Sequence, residues 1–121
     1  MDPKALGRLG ERAALQHLEA QGWTILGQNV RVGRRELDLI IRKGRVLAFV
    51  EVKTRAGSTF GGPLEAITPL KRREVCRAAA GWLSERVLPP ETLLRFDAVG
   101  VVRCRNGDLR VTHVPDAWRR E

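Results

Sequence analysis

Asp38, Glu51 and Lys53 are the residues of this chain whose types and spacing best suit chemistry. Two carboxylates and an ammonium on one sheet face are what metal-assisted phosphodiester cleavage requires. The carboxylates hold a divalent cation, and the lysine supports the attacking water or the developing negative charge. Whether they share a face depends on the elements that carry them. Glu36 to Arg42 and Arg45 to Thr54 are rich in β-branched and apolar residues and are separated by Lys43-Gly44. That pattern predicts a hairpin with a two-residue turn, glycine supplying the left-handed position.

With Lys43-Gly44 as the turn, Arg42 faces Arg45, Asp38 pairs with Phe49 and Glu36 pairs with Glu51. Strand alternation then puts Glu36, Asp38, Ile40, Leu47, Phe49, Glu51 and Lys53 on one face, and Leu37, Leu39, Ile41, Val46, Ala48, Val50 and Val52 on the other. Asp38 and Glu51 become diagonal neighbours about 7–8 Å apart at the backbone, close enough for their carboxylates to share one cation. Most Glu-x-Lys tripeptides are simply charges on a solvated face. Here Ile40, Leu47 and Phe49 make the turn end of that face apolar, so the sequence predicts it to be covered. Three acids gathered across one ladder are also destabilising unless a cation compensates them.

The chain has 121 residues, enough for one domain with a real core and too few for two. No apolar run reaches spanning length, and Met1-Asp2-Pro3-Lys4 lacks the pattern of a signal peptide, so the expected setting is cytoplasmic with no membrane. Cys76 and Cys104 lack any metal-ligand spacing and read as free thiols. Lysine and arginine total 22 against 14 acids, a net charge of +8, and eighteen of the bases are arginine. A basic domain rich in arginine suits a polyanionic partner. That it nevertheless gathers acids in one patch is the arrangement a metal-dependent nuclease needs.

The remaining elements follow from periodicity and punctuation. Ala5 to Gln21 is helical by its apolar stripe, with Gly22 as the C-terminal stop. Trp23 to Val32 reads as a strand, and Gly33-Arg34-Arg35 turns into the hairpin. Ala56 to Ala66, with Gly57, Gly61, Gly62 and Pro63, reads as a loop. Thr68-Pro69 opens a second helix that runs to about Arg86, with Lys71, Arg72, Arg73 and Arg77 largely on its outer side. Leu93 to Val102 is a strand, and Asn106-Gly107 turns into a last strand, Leu109 to Val114. The order α-β-β-β-α-β-β implies an α/β fold with a mixed sheet flanked by helices.

Gly10-Glu11-Arg12-Ala13-Ala14, Glu36-Leu37-Asp38-Leu39-Ile40 and Phe49-Val50-Glu51-Val52-Lys53-Thr54-Arg55 together resemble the bacterial YraN family, as do Lys71 and Arg95-Phe96-Asp97. The likeness runs roughly from Leu6 to Val114. That family resembles the restriction-endonuclease-like superfamily with its PD-(D/E)xK signature, and is similar to archaeal Holliday junction resolvases. The resemblance implies the restriction-endonuclease-like α-β-β-β-α-β core and a Mg²⁺-dependent (or Mn²⁺-dependent) phosphodiesterase site. It matches Glu11 to the first-helix acid, Asp38 to the strand acid, and Glu51 and Lys53 to the acid-x-lysine pair. Leu37 stands where the signature has proline.

Asp38 and Glu51 are thus expected as metal ligands, joined by the Val52 carbonyl and waters. Lys53, beside two acids, is expected to stay charged and to stabilise charge rather than act as a base; alternatively it only neutralises Glu51. Glu11 is expected to act through a water, or else to be an ordinary helix carboxylate. Glu36 is expected to pair with an arginine, or else to contribute a ligand at a second cation. Arg55, Lys71, Arg72, Arg73 and Arg77 are candidates for phosphate contact. Asp97 is expected to satisfy a local hydrogen bond, and His17 and His113 need no role. The leading expectation is a Mg²⁺-dependent DNA endonuclease, with branched DNA among its candidate substrates and a homodimer suited to junctions. The rivals are a catalytically silent nucleic-acid-binding module and a protein–protein adaptor.

Overall fold

In the computed structural model, which describes residues 1–57 and 65–120, both helices start at side-chain caps. Asp2 accepts from the Ala5 amide at 2.7 Å, Pro3 takes the first helical position, and α1 runs Pro3–Ala20. Gly22 ends it with φ +93°, a conformation natural to glycine. Thr68 Oγ1 accepts from the Lys71 amide at 3.1 Å, and α2 runs Pro69–Leu83. The sequence reading placed the start of the first helix two residues late, at Ala5, and ended the second late, at Arg86. Among the described residues no helix is long and apolar enough to cross a membrane.

The strands are β1 (Thr24–Val32), β2 (Arg35–Lys43), β3 (Val46–Ala56), β4 (Leu93–Arg103) and β5 (Leu109–Trp118). They form one sheet in the order β1-β2-β3-β4-β5. Only β3 and β4 are parallel, and α2 lies in the crossover between them. One helix covers each face. Ala14 and Leu18 of α1 pack with Leu39, Ile41, Ala48, Val50, Val99 and Val101. On the other face, Val75, Ala79 and Trp82 of α2 pack with Ile40, Leu47, Phe49 and Ala98. The central strand β3 is therefore buried on both faces from Leu47 to Val52, and Glu51 is the one charge in that run. The fold is α/β with a mixed sheet, as expected. The glycines and proline expected to form a loop at 61–63 lie outside the described residues.

Three details of the expected hairpin need correction. Lys43 pairs with Val46 and Ile40 with Phe49, so the turn is Gly44-Arg45 rather than Lys43-Gly44. Each partner moves by two residues, which preserves the face of the side chains within the paired stretch. The ladder also stops at Leu39 and Val50. Beyond it, the Asp38 carboxylate rather than a backbone carbonyl accepts from the Val52 amide, at 2.8 Å. With the alternation broken there, Leu37 joins the cluster under α2 instead of following Leu39 to the α1 face. Glu36 lies opposite Arg31 of β1, not Glu51, is exposed, and makes no ion pair among the described residues.

Helix α1 approaches β3 closely because residue 10 is glycine: a Cβ there would overlap the Thr54 side chain. Gly10→Ala gains up to about 1 kcal/mol of helix propensity but incurs an overpacking cost of about 1–3 kcal/mol. The net expectation is a lower melting temperature. An equal or higher value would mean that the helix can retreat from Thr54 freely.

Candidate functional site

The site lies where β2 and β3 part company. Asp38 is the first β2 residue past the last ladder pair, and Glu51 is the corresponding residue of β3. Their carboxyl groups are neighbours, each perturbing the ionisation of the other. Asp38 Oδ2 is committed to the Val52 amide. Glu51 is 5% exposed, and its Oε1 is buried with no hydrogen-bond partner among the described residues. A buried acceptor left unmade is costly, so this oxygen requires explanation.

Electrostatics describe the same place. Burial, reinforced by the charge of Asp38, pushes the Glu51 carboxyl up to about 8, against opposition from Lys71. Burial also raises Asp38, while its bond from Val52 opposes the shift. Glu11 of α1 is raised by partial burial and by the charges of Asp38 and Glu36, and a hydrogen bond with the Asn29 side chain works against this. Glu11 thus comes close enough to feel both strand acids, although its helix packs on the opposite sheet face.

Lys53 follows Glu51 by two residues, which places it on the same face by alternation. It is exposed and makes no ion pair among the described residues. The alternative that Lys53 neutralises Glu51 therefore fails, because that position is taken by Lys71, whose Nζ lies 3.5 Å from Glu51 Oε2. The sequence suggests phosphate contact or ordinary surface for Lys71, and neither reading anticipates this pairing. The signal was available in principle, since Thr68-Pro69 fixes where α2 starts, but the packing of that start against Glu51 depends on the crossover. Arg55 is exposed at the end of β3. Arg72 is half-buried, and its Nε donates to the Ile67 carbonyl at 3.1 Å. Arg73 and Arg77 are exposed on the flank of α2 that faces the end of β5.

His113 also needs correction, since it is not isolated. Its Nε2 lies 2.8 Å from Asp97 Oδ2, and because an ionised carboxylate only accepts, that nitrogen carries the proton. Asp97 is fully buried and also accepts two bonds from Arg95 and one from the Asp116 amide. Burial alone would raise its carboxyl, but these donors hold it below the ordinary value. The group faces α1, away from Glu51.

Residues 10–101 of the chain match the model of the uncharacterised protein family UPF0102. The chain belongs to that family. UPF0102 is the YraN family that the motifs resemble. The chain is 46% identical over 114 residues to a UPF0102 protein of Frankia alni, covering 94% of each. It is 38% identical over 117 residues to one of Geotalea daltonii, covering 97% of this chain and 91% of the relative. With one of Alkalilimnicola ehrlichii it shares 47% identity over 93 residues, covering 77% and 74% respectively. The span matched to UPF0102 takes in Glu11, Asp38, Glu51, Lys53 and Lys71, and ends before the β4–β5 turn.

The donor set of this UPF0102 chain suits a hard divalent cation. Among the described residues no three His, Cys, Asp or Glu side chains gather as a ready-made ligand cluster. Two oxygen donors, one of them an orphaned buried carboxylate oxygen, fit Mg²⁺, which binds through one or two carboxylates and keeps several waters. They do not fit Zn²⁺, which prefers nitrogen and sulfur.

Proposed function

We propose that this UPF0102 protein hydrolyses phosphodiester bonds of nucleic acid with a divalent cation, Mg²⁺ or Mn²⁺, held by Asp38 and Glu51. The observation that carries the proposal is the unpartnered Oε1 of Glu51, buried beside a second carboxyl in a chain of net charge +8. When bound, the cation would supply Lewis acidity toward a phosphoryl oxygen and a more acidic water. Lys53, exposed and uncommitted, meets the negative charge that develops on the reacting phosphate. Glu11 orients water at the edge of the site. Lys71 holds Glu51 in the absence of the cation and is free for a phosphate in its presence. DNA is the favoured substrate, with branched DNA among the forms to test. A catalytically silent binding module is the second reading, favoured by the same surplus of arginine.

Calorimetry tests the ligands. Mn²⁺ should bind the parent protein, and Asp38→Asn should weaken that binding at least tenfold; equal binding would remove Asp38 from the site. A pH dependence follows from Glu51. Its carboxyl is raised from 4.5 to about 8 in the folded protein. Unfolding therefore releases a proton between those values, and cation-free stability falls as pH rises through that window. A cation must displace the same proton, so Mg²⁺ affinity should strengthen as pH approaches about 8 and its binding should release protons. Binding that is indifferent to pH would show that the cation does not displace a proton from Glu51.

A further inference from the structure

A group of five arginines lies away from Glu51, on the other flank of α2. Arg73 and Arg77 of that helix face Arg119 and Arg120, which follow directly on β5, across a cavity of about 500 Å³. Arg72 also lines it, and among the described residues no acid does. Among the described residues Arg73, Arg77 and Arg120 make no ion pair, while Arg119 is held by Asp116 at 2.8 Å. Guanidiniums this close repel one another unless anions lie between them, and their planar forks match phosphate oxygens.

Trp118 forms part of the wall. It is 7% exposed, and its indole Nε1 is buried without an acceptor among the described residues. Its ring stacks on Phe96, with centroids 5.7 Å apart. The cavity adjoins a second one of about 410 Å³ that shares Cys76, Ala80, Trp118, Arg119 and Arg120 and adds apolar side chains such as Leu83, Leu94 and Phe96, with Arg95 and with Asp116, which is paired to Arg119. Cationic and apolar walls therefore run side by side.

We propose that this groove holds consecutive phosphates of an unpaired nucleic-acid strand, the arginines taking the phosphates and the apolar wall taking sugars and bases. A single phosphate would leave most of the guanidiniums unmatched and most of the volume unfilled. A duplex presents its phosphates on a broad convex surface and would bridge the mouth of the groove instead of entering it. A strand offers phosphates and apolar faces in alternation, the combination by which single strands are generally held. The inference rests on the nuclease reading in one respect: it assigns as substrate a nucleic acid with an unpaired segment beside the phosphate at Asp38 and Glu51.

The test is made without metal, so that it does not depend on cleavage. A labelled hexanucleotide and a blunt duplex of equal length are titrated against the parent protein, Arg77→Glu, Arg120→Glu and Arg77→Gln. In parallel, alkylation of Cys76 is followed in Cys104→Ser, where it is the one remaining thiol. The expected result is preferential binding of the single strand, at least tenfold weaker in each glutamate variant and weaker in Arg77→Gln. The strand should also protect Cys76 from alkylation. The proposal is overturned if saturating strand leaves Cys76 equally reactive, or if the substitutions leave strand affinity unchanged. It is also overturned if the duplex binds as well and loses as much, or if a nucleoside triphosphate protects Cys76 better than the strand. Loss of metal binding or of cleavage would defeat the nuclease reading while leaving these outcomes unaffected.

Discussion

Lys53→Ala should slow nucleic-acid cleavage by about 10²–10³-fold, the usual cost of removing one group that stabilises charge in a transition state. The lysine is exposed, lies two residues beyond Glu51, and is not consumed by an ion pair among the described residues. Its removal leaves Asp38 and Glu51 in place, so metal and nucleic-acid affinity should change little. Lys53→Arg should recover only part of the rate, because a planar fork cannot occupy the position of a compact ammonium. Rate constants measured under single-turnover conditions would check this. Equal rates for the parent and Lys53→Ala would leave a phosphodiesterase possible but would remove Lys53 from it.

Asp97→Ala should destabilise the protein by about 3 kcal/mol. Removing one partner of a buried ion pair generally costs about 3–5 kcal/mol, and the lower end applies because the Arg95 side chain keeps 25% of its exposure. Four donor contacts converge on this carboxylate, from Arg95, His113 and the Asp116 amide. They also fasten the irregular stretch of β5 that lies opposite Asp97, between the pairs Ala98–Val114 and Phe96–Trp118. The variant should therefore loosen Trp118 and the arginines after it as well as lower global stability. Because the Asp97 carboxyl is held below its ordinary value, its contribution is present above the unfolded aspartate range and is lost as pH falls through the folded value. Urea unfolding near neutral pH would check the magnitude; a loss below about 0.5 kcal/mol, as at an ordinary surface position, would mean that water replaces these bonds.

Much of this architecture could be read from residue order. Apolar alternation and the turn glycine put Phe49, Glu51 and Lys53 on one face even with the wrong turn residues, since a register error of two preserves parity, whereas Asp38 meets Glu51 where that alternation breaks. Thr68-Pro69 located the second helix because a capping hydroxyl and proline act locally. What could not be read depends on long-range packing. The break of the ladder at Asp38 arises because a side chain takes over a backbone acceptor, so Leu37 and Glu36 leave their expected places. Lys71 meets Glu51 only because the crossover brings α2 over β3. Pro115 interrupts the alternation of the last strand, which hid its continuation to Trp118 and with it the return of Arg119 and Arg120 toward α2. His113 looked isolated because Asp97, its partner, lies on the neighbouring strand.

The most direct test of the central claim is cleavage of a panel of linear, nicked, flapped and four-way DNAs, with RNA alongside, by purified parent protein and Glu51→Gln in the presence of Mg²⁺ or Mn²⁺. The account expects the parent to cut at least one member only when the cation is present, and Glu51→Gln to bind the same nucleic acid without cutting it. Salt-sensitive binding by the parent with no cleavage of any member, or cleavage undiminished in Glu51→Gln, would contradict it.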